Sequence, residues 1–135
     1  MKILVYGAGV LGCNLARTLF HAGKDVTLLA RGKWAEEIRK NGLRIKDQFS
    51  LRTSVSRIPV VTTLAPDAAY DVIFVVLRYT QLDSVLDTLR ANRTQNIVFV
   101  GNNVPVSYTH LVMVSPERFF RQIRIIVLPS RRLAS

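Results

Sequence analysis

Carboxylates are scarce in this sequence: nine Asp and Glu stand against 19 Lys and Arg, giving a formal net charge of +10. Cysteine is scarcer, with Cys13 alone, so an internal disulfide is excluded and no companion thiol exists for a zinc site. No His/Asp/Glu/Cys cluster has metal-ligand spacing, and no metal is expected. Long apolar runs are also missing; the run after Met1-Lys2 falls far short of the ~20 residues of a membrane span, and no signal-peptide layout precedes it. These absences predict a soluble, cytoplasmic protein that does not bind a membrane. Zinc-finger spacing, a helix-turn-helix cue and RNP-type aromatics are lacking as well, so the positive charge is not read as a nucleic-acid surface.

What is present suits one domain with a real core: 135 residues, 49% of them hydrophobic. The charge is uneven. Residues 1–110 hold 14 Lys and Arg against 8 Asp and Glu, an excess of +6, whereas residues 111–135 hold five arginines against Glu117, an excess of +4.

Short β-branched runs alternate with amphipathic stretches, the signature of βαβ units around a parallel sheet. "KILVY" is a continuous apolar strand, as expected where both faces are covered. It is followed by a helix in which Val10, Leu11, Leu15, Leu19 and Phe20 recur at helical spacing, with Gly23 as its stop. "DVTLLA" is the second strand. A helix through "KWAEEIRKN" stops at Gly42, and "LRIKDQFSLRTSV" alternates as a small antiparallel excursion. "PVVTTL", "YDVIFVVL" and "NIVFV" are further strands. Between the last two, Leu82, Val85, Leu86 and Leu89 share a helix face, with Thr80 placed to cap.

Gly7-Ala8-Gly9-Val10-Leu11-Gly12 is G-x-G-x-x-G in its confirming context of strand, glycines, helix and second strand. The first glycine allows the tight turn, the second lets the backbone approach a pyrophosphate, and the third lets the helix pack closely on the strand. The helix start then offers free N–H groups and a positive dipole end to phosphates. Where an NAD site has an Asp or Glu for the ribose 2′-hydroxyl, this chain has Arg31. A guanidinium suits a 2′-phosphate, so Arg31 argues for NADP(H), with Lys33 adding charge. In an open α/β sheet, ligands sit beyond the carboxyl ends of the strands, which puts "RYT" after the fourth strand and "GNN" after the fifth beside the ligand.

"KILVYGAGVLG", "VTLLAR", "DVIFVVLRYTQ" and "GNN" together resemble the ketopantoate reductase (2-dehydropantoate 2-reductase) family. The resemblance implies an α/β, Rossmann-type doubly wound, mostly parallel sheet over residues 1–112. It implies NADPH-dependent reduction of a small 2-oxo acid, of the pantothenate-pathway type, with Arg31 holding the 2′-phosphate. Gln81 matches the glutamine of a V-K-A-x-Q-like family motif, Arg78 stands where that motif has lysine, and Asn102 falls where the family has an asparagine near nicotinamide and substrate. The cofactor-binding set is therefore Gly7, Ala8, Gly9, Val10, Leu11, Gly12, Arg31, Arg78, Gln81 and Asn102. The family's proton-donating lysine and its helical domain have no counterpart in these residues, so no catalytic residue is assigned and the chain alone is expected to be inactive.

Residues 113–135 form a basic tail. Ser115 and Pro116 suit a helix start, and "IRIIVLP" is either a sixth strand or part of an altered, truncated end. Without a terminal strand, an exposed sheet edge would favour self-association. A second functional reading, a dinucleotide-binding regulatory or interaction module without chemistry of its own, fits residues 7–31 equally well. The polar groups of "VVLRYTQ" and "GNN" favour the reductase.

Overall fold

A computed structural model describes residues 1–47, 50–101 and 123–127, the last as backbone only. Eight strands and three helices follow in the order β1 (Lys2–Tyr6), α1 (Val10–His21), β2 (Asp25–Leu29), α2 (Gly32–Asn41), β3 (Leu43–Lys46), β4 (Thr53–Ser56), β5 (Val60–Val61), β6 (Val72–Val75), α3 (Tyr79–Ala91), β7 (Ile97–Gly101) and β8 (Ile123–Val127). Six strands make one sheet in the order β5-β2-β1-β6-β7-β8, every pair parallel. Renumbered along the chain, that order is 3-2-1-4-5-6, the doubly wound arrangement whose strand order reverses between β1 and β6. The remaining two strands form the antiparallel β3-β4 ribbon, with Leu43 opposite Ser56.

The continuous apolar run of β1 serves two cores. Ile3 and Val5 join Cys13, Ala16, Ala35 and Ile38 beneath α1 and α2, while Leu4 and Tyr6 join Leu82, Val85, Leu86 and Leu89 of α3 on the opposite face. Side chains alternate across a strand, so one run feeds both layers only if every position is apolar. The buried face of α3 is the one its spacing predicts.

The buried face of α1 differs from the expected one. Its buried residues are Gly12, Cys13 and Ala16, which let the helix lie close to the sheet. Leu15, Leu19 and Phe20 are partly buried, and Val10 and Leu11 at the exposed helix start are 84% and 39% accessible. The helix ends with Lys24 N–H donating to the Leu19 carbonyl and Gly23 N–H to that of Phe20, both at 3.0 Å, the paired closure expected around a glycine stop. His21, one residue before the C-cap, has its Nε2 3.0 Å from the Oγ of fully buried Ser56, tying the β3-β4 ribbon to α1.

Candidate functional site

The reversal between β1 and β6 opens a cleft of about 420 Å³ at the carboxyl edge of the sheet. Three loops border it: the glycine turn after β1, Ala30-Arg31 after β2 and Val76-Leu77-Arg78 after β6, with Gln81, Ser84 and Val85 of α3 as a wall. Of the residues singled out in the sequence, Gly7, Ala8, Gly9, Arg31, Arg78 and Gln81 meet here. Val10 faces a neighbouring recess, and Leu11 and Gly12 line neither space. Asn102 lies outside the described residues.

The three glycines differ in what keeps them side-chain-free. Gly7 has φ +120°, and a Cβ there would come within 2.2 Å of the Val76 carbonyl oxygen. A Cβ on Gly12 would sit 1.9 Å from the Gly7 carbonyl oxygen, inside any tolerable contact. Both positions are dictated by the protein's own packing. Gly9 is not: its backbone, φ −77° and ψ −173°, is open to any residue, and nothing lies within 4 Å of its missing Cβ. The space in front of Gly9 is a cradle that a side chain would fill, and a diphosphate resting on the helix start fits it.

All three helices start at this edge, and none has a carboxylate in its first turn or an N-cap side chain accepting from its N–H groups. Their N-cap residues are Gly9, Arg31 and Arg78. Ser, Thr, Asp or Asn at such a position stabilises a helix by about 1 kcal/mol, and acidic first turns are favoured by the dipole. Three starts without either turn their positive dipole ends toward the cleft, with two guanidiniums beside them. Arg31 Nη2 donates to the Tyr6 hydroxyl at 3.2 Å, which holds the guanidinium at the end of β1.

Thr80 does not cap α3. The helix begins one residue earlier, closed by Gln81 N–H donating to the Arg78 carbonyl at 2.9 Å and Arg78 N–H donating to Gln81 Oε1 at 3.4 Å. Gln81 thus shapes the turn that presents Arg78, besides lining the cleft.

One residue of this site escapes a reading by motif. Trp34, the sole tryptophan, projects from the first turn of α2 and donates its indole N–H to the Ala8 carbonyl at 3.0 Å. Its only advance signal is an isolated aromatic three residues after Arg31. Among the described residues no group of His, Cys, Asp and Glu is arranged to hold a metal, and no helix is long and apolar enough to cross a membrane.

The strand order and the strand-glycine-helix turn define a Rossmann-type α/β unit. The chain belongs to the ketopantoate reductase family: residues 3–112 match the family described as Ketopantoate reductase PanE/ApbA. A protein named 2-dehydropantoate 2-reductase from Pyrococcus horikoshii is 33% identical over 90 residues, which are 67% of this chain and 29% of the relative. The crystal structure titled as the putative 2-dehydropantoate 2-reductase from Enterococcus faecalis superposes with a TM-score of 0.71 at 25% identity, covering 93% of this chain and 40% of that one. A ternary structure of D-mandelate dehydrogenase with NADH and anilino(oxo)acetate shares the fold, with a TM-score of 0.75 at 20% identity over 94% of this chain and 40% of that one. The chain therefore spans well under half the length of these relatives.

Proposed function

We propose that the chain is the NADPH-binding portion of a ketopantoate reductase-like oxidoreductase that reduces a 2-oxo acid, of the 2-dehydropantoate type, to the 2-hydroxy acid. One observation supports this above the others: three helix starts converge on one cleft with no carboxylate in any first turn and with Arg31 and Arg78 as two of the N-caps. Such an edge suits a ligand with several phosphates. The name of the curated relative, 2-dehydropantoate 2-reductase, supplies the substrate class.

In this reading the Gly9 cradle and the start of α1 receive the diphosphate, and Arg31 with the start of α2 receives the 2′-phosphate. The bound nicotinamide supplies the hydride that carbonyl reduction requires. Arg78, at the carboxyl end of β6, contributes positive charge on the opposite wall. Both arginines are assigned to binding in this reading, and the proton for the alkoxide comes from another group. We place that group in the part of the relatives' length that this chain does not span.

Titration of the chain with NADPH and with NADH, followed by nucleotide fluorescence, tests the proposal. Wild type is expected to prefer NADPH, and Arg31→Ala to lose about 1.5 to 3 kcal/mol of NADPH binding while barely changing NADH. Equal weakening of both nucleotides would remove Arg31 from the 2′-phosphate site.

A further inference from the structure

The Ala8 carbonyl accepts from two side chains at once, Trp34 Nε1–H at 3.0 Å and the Cys13 thiol at 3.3 Å. The donors come from different helices, α2 and α1, and converge on the residue between the first two glycines of the loop. Burial pushes the Cys13 thiol above its ordinary pKa, against a smaller opposing pull from the Trp34 indole, so the thiol remains a protonated donor at neutral pH. A peptide unit is planar and trans, and its N–H points opposite to its C=O. Fixing the Ala8 carbonyl therefore fixes the direction of the Gly9 N–H. That N–H has no acceptor among the described residues, and it belongs to the glycine whose missing Cβ faces open space. Trp34 is 44% exposed, too open for burial alone to hold it, and it lines both the main cleft and the recess beside Val10 and Cys13.

We propose that Trp34 is a positioning residue for phosphate binding: by pinning the Ala8 carbonyl it aims the Gly9 N–H at the dinucleotide's diphosphate and couples the start of α2, where Arg31 sits, to the glycine loop. The proposal rests on the dinucleotide reading of the cleft. Two probes separate its parts, ADP, which has a diphosphate and no 2′-phosphate, and adenosine 2′-monophosphate, which has the reverse. Calorimetric titration of the full 135-residue chain is done for wild type, Trp34→Phe and Arg31→Ala. Trp34→Phe keeps an aromatic ring and removes the N–H. It is expected to weaken ADP about fivefold, the worth of one hydrogen bond. Adenosine 2′-monophosphate should stay within about twofold, and the melting temperature within about 2 °C. Arg31→Ala should show the opposite pattern. Unchanged ADP affinity in Trp34→Phe would overturn the proposal, as would equal loss of both probes with a lowered melting temperature, the mark of a purely structural contact. A wild type that binds neither probe would overturn the dinucleotide reading itself and this proposal with it.

Discussion

The two edges of the parallel sheet are built on opposite principles. At the amino edge, polar groups are consumed inside the protein: the Asp71 carboxylate accepts from Lys2 N–H at 2.6 Å and Asn96 donates to the Asp71 carbonyl at 3.0 Å. Asn92, buried at the end of α3, donates to the carbonyls of Ala65 and Ala68 at 2.8 and 2.7 Å and accepts from Thr94 N–H at 2.9 Å. At the carboxyl edge, the helix N-caps are Gly9, Arg31 and Arg78, and carboxylates are absent from the first turns. A closed edge contributes stability, whereas helix starts without Ser, Thr, Asp or Asn as N-cap forgo it. Substitutions at the two edges should therefore move different observables.

The largest contrast lies within the glycine turn itself. Gly12→Ala forces a Cβ to 1.9 Å from the Gly7 carbonyl oxygen, and a clash against backbone is expected to destabilise by about 3 kcal/mol. Gly9→Ala meets nothing in the protein, so its stability loss in chemical denaturation should stay below about 1 kcal/mol, while nucleotide binding is lost because the cradle is filled. Were Gly9→Ala to bind NADPH as wild type does, the diphosphate would have to lie elsewhere.

Asn92→Ala tests the other edge. It leaves the buried Thr94 N–H and the Ala68 carbonyl without their partner and takes one of two donors from the Ala65 carbonyl, which should cost about 2 to 3 kcal/mol in urea unfolding. The folded fraction should bind NADPH unchanged, and a parallel loss of affinity would show that the edges are not independent.

Much of this division was legible in the sequence, because it depends on residues close together in the chain. The glycine turn, the strand runs and the apolar face of α3 follow from local spacing, and the antiparallel β3-β4 ribbon follows from alternation. Arg31 stands out against the carboxylate that such a turn usually leads to. What spacing hid was decided by contacts between distant segments. Val10 and Leu11 fit an apolar helix face, yet the sheet lies so close to α1 that Gly12, Cys13 and Ala16 fill that space. Thr80 has the better capping chemistry, but the chain leaving β6 turns at Arg78, a residue no capping preference would choose. "PVVTTL" yields only the two-residue strand Val60–Val61, since pairing with β2 is confined to Leu28 and Leu29. The roles of Trp34 and of the His21–Ser56 contact require neighbours 26 and 35 residues away.

Arg78→Asp sharpens the comparison with a smaller effect of two signs. A carboxylate at the N-cap of α3 accepts from the helix start and complements its dipole, for a gain of about 1 kcal/mol in stability. The same charge repels phosphates, and NADPH affinity should fall at least about tenfold. Stability rising as affinity falls would identify a helix start kept basic for a ligand; a loss of stability would mean that the Arg78 side chain supports the fold.

The smallest effect is alkaline and involves one group at each edge. Burial raises the pKa of Cys13, beneath the glycine turn, and burial followed by repulsion from Asp25 raises that of Tyr70 at the amino edge. A group whose pKa is higher in the folded state keeps its proton longer there than in the unfolded chain, so stability falls as pH rises from the unfolded pKa to the folded one. The decline should begin near the ordinary thiol value of about 8.5 and continue through the ordinary phenol value of about 10. Melting temperatures measured from pH 7 to 11 should show Cys13→Ala removing the earlier part of the slope and Tyr70→Phe the later part. The thiol donates to the Ala8 carbonyl, and its deprotonation also removes one of the two donors on the glycine loop. NADPH affinity should therefore weaken with the Cys13 phase and stay level through the Tyr70 phase, so the carboxyl edge answers in both binding and stability and the amino edge in stability alone.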